Sequence, residues 1–520
     1  MRLDQVTADR RRAHPLLVFG AIASGLLPVA FAVLVHAASY PVALTRVAAV
    51  TLVAGLYSAA IYAVARRLGG SAPVGAKAAL IWSLAIFVYP NWFSMVPALR
   101  HWPEPPIAVA YLAIAASLCA VTLARRRTGG DLPGAISMGV VVVLALMIVV
   151  TGPQYRRIPF RLPLTPLPDG VHADATSARP NIYHLVLDGM GRPDVLARRY
   201  GVDLTPAVSS LAAAGFVVER GASANYAQTY LSIPSMLNAD YLHVPADRID
   251  ETSRVPLHEA MEHNVVFSAL RRAGYDVTFL ASDYSATEDN VQATACRCDP
   301  ILFGEFEANI AYSTPFRAMW PGDFDYVPHR NRVEGTLDAF AASGGGHGSR
   351  PRYTFAHVLS PHPPFIFKAD GTFAPPARAF TIFDASLFPG DAAEYRNGYA
   401  NQATYVMRRA AAIASALAAA DPTAIVIVSG DHGPRLDFSA MDARRTDADE
   451  VLPIFLAVRW GTSTADAPHV ESLVNLYRAV LNRALGMSLA PLTPRSYISS
   501  FSRPYRLLQA RPCIERACTP

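Results

Sequence analysis

The sequence predicts an α/β protein in which an N-terminal region of five transmembrane helices precedes a doubly wound, mostly parallel sheet domain. Long apolar stretches fill the first 151 residues, and strand and helix patterns alternate after residue 180. In addition, two short apolar runs, residues 181–187 and 424–430, each end next to an acidic residue. Both runs are continuous and rich in β-branched residues, which is typical of buried parallel strands.

The membrane region follows from composition. The chain of 520 residues is 52% hydrophobic and 17% charged, which is more apolar than an ordinary soluble enzyme. The excess is local, and it falls in stretches of near-spanning length. The predicted spans are Leu16 to His36, Val42 to Ala65, Ala78 to Val96, Ile107 to Leu123 and Ala135 to Val150.

Basic residues in the short loops predict the orientation of these spans. They precede the first span and lie between the second and third and between the fourth and fifth, whereas the alternate loops carry only Arg46 and Arg100. The positive-inside rule therefore places the N-terminus in the cytoplasm. Five spans then place the remainder on the periplasmic or extracellular side of the inner (plasma) membrane. A cleaved signal peptide is the alternative reading of the first span, but further spans follow it.

The net charge of +5 does not indicate a nucleic-acid partner. Much of it is the arginine of the predicted cytoplasmic loops. It therefore bears on topology, and we expect a membrane and no nucleic acid among the partners.

Cysteine usage agrees with an exported domain. Cys119 lies within a predicted span, whereas Cys296, Cys298, Cys513 and Cys518 lie in the outer part, where disulfides persist. Four thiols allow three pairings. A bridge from Cys513 to Cys518 would close a short loop and is favoured, while one from Cys296 to Cys298 would be tight and strained.

The domain boundaries follow from proline content. Residues 1–151 form the predicted membrane region, and residues 152–180 are rich in proline without an apolar period, as an extended linker is. Residues 181–520 suit one large α/β domain. Within it, the turn-rich and aromatic segment from Asp283 to Arg332 is a candidate substrate lid beside the sheet edge.

The outer domain reads as alternating strands and helices. This alternation predicts a mostly parallel, doubly wound sheet. Besides the two opening strands, the predicted strands are 215–218, 275–280, 353–358 and 452–458. The predicted helices are 193–200, 206–214, 258–273, 393–420 and 470–485.

Acidic residues follow the two opening strands. Asp188 comes directly after the first, and Asp431 and His432 follow the second between Gly430 and Gly433, which we expect to allow unusual backbone angles. Ligands bind at the carboxyl ends of strands in open α/β sheets. Two carboxylates and an imidazole there can ligate one divalent ion. Taken alone, Asp188 would cap a helix and Asp431-His432 would be a solvated turn.

A hydroxyl-rich run lies between these acids in the sequence. It contains Asn225, Thr229 and Ser232 at a predicted helix start, where free N–H groups and the helix dipole favour an anion such as phosphate or sulfate. A hydroxyl bound to a metal also loses its proton more easily, and it becomes a nucleophile. Helix capping by Thr229 or Ser232 is the alternative.

Two further histidines lie near a predicted strand end. His362 follows the strand among prolines, where it can donate to a phosphoryl oxygen or protonate a leaving group. His357 is expected to be a satisfied histidine inside the strand.

The order Asp188, Thr229, His362, Asp431-His432 on this strand pattern resembles the alkaline phosphatase superfamily, specifically its sulfatase-like membrane branch. That branch includes lipoteichoic acid synthases, phosphoglycerol transferases and phosphoethanolamine transferases. The resemblance covers residues 180–460, and the membrane portion is similar too. It implies that Asp188, Asp431 and His432 ligate a metal, with Thr229 as ligand and covalent nucleophile and His362 at the substrate.

Two departures from the family pattern narrow the function. After His432 no histidine appears until His469, so a second zinc site lacks an obvious ligand. The run from Ser232 to Met236 approaches the sulfatase signature for formylglycine formation, but Met236 replaces the required arginine. We therefore expect no formylglycine-dependent sulfatase.

The function predicted is a membrane-anchored transferase that moves a phospho-alcohol head group from a phospholipid donor to a cell-envelope glycan or lipid through phospho-Thr229. The alternatives are a phosphate- or sulfate-ester hydrolase with the same site and a catalytically silent membrane scaffold. Three oxygen ligands and one nitrogen suit one Mn²⁺ or Zn²⁺ ion better than Mg²⁺ or Ca²⁺.

Overall fold

The structure is a computed structural model, and it has two compact units. One comprises Met1–Ile158 and Leu302–Pro321, and the other Pro159–Ile301 and Gly322–Pro520. The residues it describes are 15–37, 42, 44–95, 104–125, 132–156, 160–167, 179–282, 284–297, 306–307, 310, 314–315, 326–344, 349–374, 380–462 and 467–510.

The first unit is built of long apolar helices. Four of them are long and apolar enough to cross a membrane: Pro15–Leu34, Leu44–Gly69, Ala72–Tyr89 and Pro106–Arg125. In the helix Leu44–Gly69 only 6% of the most apolar stretch is buried within the protein, as expected of a lipid-facing surface. The helices are α1 (Leu27–Ala37), α2 (Leu44–Gly69), α3 (Ala72–Met95), α4 (Glu104–Arg125) and α5 (Leu132–Arg156).

Among the described residues the structure has four such helices, one fewer than the five spans predicted. In α5 the apolar part that the structure describes is only Ala135–Val149. The helix itself continues to Arg156, into the segment predicted as a linker.

Part of the predicted lid packs within the helical unit. The Arg46 guanidinium donates to both carboxylate oxygens of Glu307, at 2.9 and 2.5 Å. Phe306 is buried in a cluster with Ala32 and Val42. About half of the predicted lid lies outside the described residues, so its role as a lid stays a prediction.

The second unit contains a seven-stranded sheet, in the order β2-β7-β6-β1-β5-β3-β4. Strands β6, β1, β5, β3 and β4 run parallel, whereas β7 and β2 are antiparallel to their neighbours, so the predicted mostly parallel sheet is confirmed. The strands are β1 (Ile182–Leu187), β2 (Val217–Val218), β3 (Asp276–Leu280), β4 (Ala295–Arg297), β5 (Arg352–Val358), β6 (Ile425–Gly430) and β7 (Leu456–Trp460). A separate hairpin pairs β8 (Ser496–Ser500) with β9 (Arg503–Ala510).

Helices cover both faces of this sheet. They are α6 (Pro193–Tyr200), α7 (Thr205–Ala213), α8 (Thr229–Leu237), α9 (Val255–Glu262), α10 (Val265–Arg272), α11 (Tyr326–Ala342), α12 (Ala392–Ala420), α13 (Ala448–Val451) and α14 (Leu473–Leu485). Side chains of β1 alternate between the faces. Leu185 joins a core cluster with residues of α11 and α12, whereas His184 bonds to Tyr477 of α14. Burial on both sides explains why the strand sequence has no polar alternation.

Several elements differ from the sequence prediction, and strand β4 and helix α11 were not predicted at all. The helix predicted over 258–273 is two helices, because Asn264 accepts a bond of 2.7 Å from the Phe267 N–H and starts a new helix there. Strand β7 begins at Leu456, not at Leu452, and the C-terminal hairpin was not predicted.

Of the disulfide candidates, Cys296 is disulfide-bonded. Cys298, Cys513 and Cys518 lie outside the described residues, so the predicted pairing stays a prediction. Cys119 is a free thiol in α4.

Candidate metal centre

Strand register brings the two acidic runs together. Strands β1 and β6 are parallel neighbours in which Leu187 pairs with Gly430. Asp188 and Asp431 are the next residues of their strands, so both carboxylates leave the sheet at the same edge. Both are buried, with exposed fractions of 1% and 0%. The Asp188 N–H still donates to Val358 of the other neighbouring strand, at 3.0 Å.

The glycines around these acids act in different ways. Gly189 has a φ of 76°, which turns the chain sharply after Asp188. The expectation of unusual backbone angles at Gly430 and Gly433 is wrong, since neither has a positive φ. Instead, a Cβ atom on either would lie 2.3 Å from a backbone oxygen, that of Met190 or of Glu450. Glycine is needed there for close packing of backbone on backbone.

Four predicted residues converge on one point. The atoms Thr229 Oγ1, Asp188 Oδ1 and Asp431 Oδ2 lie 3.2, 3.4 and 3.5 Å from His432 Nε2. All four side chains are at most 2% exposed. Two carboxylates, a hydroxyl and an imidazole thus form a compact buried cluster.

The cluster fits a divalent metal ion. Within the described part of the chain, Asp188 Oδ1 and Asp431 Oδ2 are buried without a hydrogen-bond partner, and buried carboxylate oxygens are costly in that state. Ligand atoms about 2.1 Å from an ion in tetrahedral geometry lie about 3.4 Å apart, close to the separations found here. The His432 Nδ1–H donates to the Gly433 carbonyl at 2.8 Å, which leaves the Nε2 lone pair for a ligand bond.

The electrostatics agree with a cation site. Burial lowers the pKa of His432, with the two carboxylates opposing it, which favours the neutral imidazole that metals bind. Burial raises the pKa of Asp188, but His362, His357 and His432 together outweigh it and hold that pKa below its usual range. Asp188 is therefore an anion at neutral pH.

Helix α8 positions Thr229 at its first residue, as the sequence predicts. The Ser232 hydroxyl, one turn later, donates to the Asp431 carbonyl at 2.6 Å. This bond connects the helix to the loop that carries Asp431 and His432. The Asn225 amide is engaged with Ser472 and Arg495 at 2.8 and 2.7 Å. Substrate binding by Asn225 and Ser232 stays a prediction, since the bonds described here connect them to protein groups.

His362 lies beside the cluster through two contacts. Its backbone N–H donates to the Asp188 backbone carbonyl at 3.1 Å, and its ring Nε2 is 3.4 Å from Asp384 Oδ2. Asp384 also accepts a bond of 2.8 Å from Arg435 Nε. Sequence reasoning missed Asp384 and the buried Arg435. Arg435 follows His432 by three residues and could have been noticed, but Asp384 stands in an irregular loop without a recognisable pattern.

His357 was also missed as a site residue. It lies inside β5, as predicted, but its Nε2 is 3.4 Å from Asp188 Oδ2. Its Nδ1 is bonded to Thr287 Oγ1 at 2.7 Å. Only the sheet order shows this role, since β5 is the neighbour of β1.

Comparison with solved structures finds several distant likenesses. The C-terminal periplasmic domain of EcEptC from Escherichia coli, in complex with Zn, is 13% identical with a TM-score of 0.44, and the alignment covers 67% of this chain and 96% of that one. The integral membrane protein lipooligosaccharide phosphoethanolamine transferase A (EptA) from Neisseria meningitidis is 14% identical with a TM-score of 0.41, covering 90% and 95%. The phosphonate monoester hydrolase of Agrobacterium radiobacter is 14% identical with a TM-score of 0.36, covering 62% and 80%.

A search of curated proteins finds no match. A family model described as Sulfatase matches residues 180–463, more than half of the 520-residue chain. The matched segment contains every member of the buried cluster and the sheet that positions it. The chain belongs to the sulfatase family, within the alkaline phosphatase superfamily.

Proposed function

We propose that this protein is a membrane-anchored, metal-dependent phosphotransferase that moves a phospho-alcohol head group from a phospholipid to a cell-envelope glycan or lipid. The observation that carries this proposal is the position of Thr229. Its hydroxyl lies 3.2 Å from His432 Nε2 inside a cluster that also holds two carboxylates. A threonine held there is placed to act as a nucleophile.

The first step transfers the head group to the protein. Thr229 Oγ1 attacks the phosphorus, so that a new P–O bond forms while the P–O bond to diacylglycerol breaks. A divalent ion held by Asp188, Asp431, His432 and Thr229 would favour loss of the hydroxyl proton to solvent and neutralise charge on the phosphoryl group. His362 Nε2 supplies a proton to the departing diacylglycerol oxygen.

The second step resolves phospho-Thr229. An acceptor hydroxyl attacks the same phosphorus, and its proton passes to the His362 imidazole that gave one up in the first step. The Thr229 oxygen leaves and takes up a proton from solvent, and the head group is then bonded to the acceptor. Water in place of the acceptor would make the protein a hydrolase.

The donor set supports Mn²⁺ or Zn²⁺ as the ion, since it joins three oxygens with one imidazole nitrogen at near-tetrahedral separations. The apolar helices support a lipid donor, because they would keep the enzyme at the bilayer. The disulfide at Cys296 supports an outer location for the catalytic unit, since such bonds persist in oxidising compartments.

The proposal is tested by incubating the full chain in detergent with labelled phospholipid, followed by mass spectrometry of peptides containing Thr229. We expect a head-group phosphate on Thr229 in the wild type and none in Thr229→Ala. Ser235→Ala is the matched control, because its hydroxyl lies on the same helix and bonds to the Asp240 carbonyl, outside the cluster.

Three results would count against the proposal. An adduct on Ser232 would show that Ser232, not Thr229, is the nucleophile. Turnover that does not change when an acceptor glycan is added would favour a hydrolase over a transferase. Equal metal content in the wild type and Asp431→Ala would remove the metal site.

A further inference from the structure

A cationic group outside the buried cluster packs against the residue that follows the proposed nucleophile. Arg254, at the start of α9, has its guanidinium carbon 5.3 Å from the centre of the Tyr230 ring. Tyr230 directly follows Thr229 and is itself buried. The same guanidinium carbon is 5.9 Å from the ring of Phe501. Arg254 thus contacts two aromatic rings, one of which belongs to the residue that follows the proposed nucleophile.

Phe501 lies at the turn between β8 and β9, outside the segment that matches the family model. This hairpin is bonded to the residue before the nucleophile: Gln228 Nε2 donates to the Ser499 carbonyl at 2.9 Å. The Phe501 carbonyl accepts a bond of 3.1 Å from Arg254 Nη2. The hairpin therefore fixes both the nucleophile loop and the arginine.

The charge of Arg254 is not balanced by a protein carboxylate. Among the described residues, none lies within the 4.0 Å of an ion pair, and its Nε is buried without a hydrogen-bond partner. An unpaired buried N–H is unfavourable, and a ligand oxygen would relieve it.

Arg435 shows the contrasting state. Its guanidinium carbon is 5.6 Å from the same Phe501 ring, but its Nε donates to Asp384 at 2.8 Å. Burial lowers the pKa of Arg435, yet Asp384 and then Asp188 raise it above its ordinary value. Of the two arginines at Phe501, only Arg254 therefore has its charge available for a ligand.

We propose that Arg254 binds a second phosphate group of the substrate, in addition to the phosphoryl group that reacts at Thr229. Guanidinium groups are suited to this role because their planar donors match phosphate oxygens and rings hold them in one orientation. The inference rests on the proposed function and specifies it: the donor or the acceptor is a molecule with two phosphate groups. Arg254 is then a specificity-determining residue.

The test compares two soluble probes that differ by one phosphate, fructose 1,6-bisphosphate and fructose 6-phosphate. Their binding to the full chain with Mn²⁺ in detergent is measured by calorimetry. We expect the wild type to bind the bisphosphate about tenfold more tightly, the value of one charge-assisted hydrogen bond. Arg254→Gln should reduce the ratio of the two dissociation constants to about one and leave monophosphate binding unchanged. Arg254→Lys should restore part of the preference for the bisphosphate.

Arg408→Gln is the matched control. Arg408 also lies over a ring, 5.6 Å from Tyr405, and also donates to a backbone carbonyl, that of Ala369. None of these partners belongs to the site, so the ratio should stay at the wild-type value. The proposal is overturned if the wild type shows no preference or no binding at millimolar concentration, or if Arg254→Gln retains the preference.

These outcomes are separable from failure of the transfer reaction. If the preference for the bisphosphate depends on Arg254 but no phospho-Thr229 is found, the anion site is supported and the transferase is contradicted. If phospho-Thr229 is found but the preference is absent, the transferase is supported and the second phosphate site is contradicted.

Discussion

His357 Nε2 lies 3.4 Å from Asp188 Oδ2, and both groups are buried at the edge of the sheet. They meet because β1 and β5 are parallel neighbours in which Val186 pairs with His357. The other oxygen of Asp188 belongs to the metal cluster. His357 therefore contacts the carboxylate oxygen of Asp188 that does not face His432, and it is a positioning residue for a proposed metal ligand.

Replacing His357 should weaken metal binding without removing it. We expect His357→Ala to lower metal affinity by about 10- to 100-fold, because the second oxygen of Asp188 loses its partner. His357→Gln should recover part of the loss, since its amide can donate to the same oxygen. Metal titration with a competing chelator measures both. His184→Gln is the control, a buried strand histidine bonded to Tyr477 and Ser429, and it should leave affinity unchanged.

Asp431→Asn should abolish the stabilisation that metal confers. With metal at 100 times its Kd, the wild type should gain about 2.7 kcal/mol of unfolding free energy. The variant should gain none, yet its metal-free form should be at least as stable as the metal-free wild type, because one buried carboxylate without a partner has been removed. Thermal unfolding with and without metal measures this. Equal metal-induced shifts in the two proteins would contradict it.

Asp384→Leu should destabilise the catalytic unit. It leaves the buried Arg435 guanidinium without its carboxylate, and breaking such a buried pair costs about 3–5 kcal/mol of unfolding free energy. The double variant Asp384→Leu with Arg435→Met should lose less than Asp384→Leu alone, since no buried charge is left unpaired. Denaturant unfolding of the three proteins checks the order. A double variant less stable than the single one would contradict it.

Glu262 should make stability depend on pH. Burial first, and then Asp289, raise its pKa to about 7 from the ordinary value of 4.5. Since the folded state favours the protonated carboxyl, this contribution is present below about pH 4.5 and is lost as pH rises to about 7. Glu262→Gln removes it, so the Tm of the variant relative to wild type should rise between pH 5 and pH 8. His258, whose pKa burial lowers, lies opposite and titrates in both proteins.

Glu471→Gln, at an exposed position, is the control for that pH series. Its Tm difference from the wild type should be the same at pH 5 and pH 8. A constant difference for Glu262→Gln as well would show that Glu262 is not the titrating group.

The sheet was largely predictable because its strands carry their own pattern. Continuous apolar runs such as residues 424–430 cannot be exposed on either face, and the acids that follow them mark the strand ends. The second helix start at Asn264 was missed because the apolar period continues across it. The hairpin Ser496–Ala510 was missed because its short strands carry little apolar pattern.

The sequence by itself determined the apolar helices, the order of strands and helices, and the run of Asp188, Thr229, Asp431 and His432, since each is a local pattern. Only the tertiary structure decided that His357 contacts Asp188, that Asp384 joins His362 to Arg435, and that Tyr230 and Phe501 both pack on Arg254. These contacts join residues far apart in the chain. Strand order and loop packing create them, and no local period encodes which strand becomes the neighbour of which.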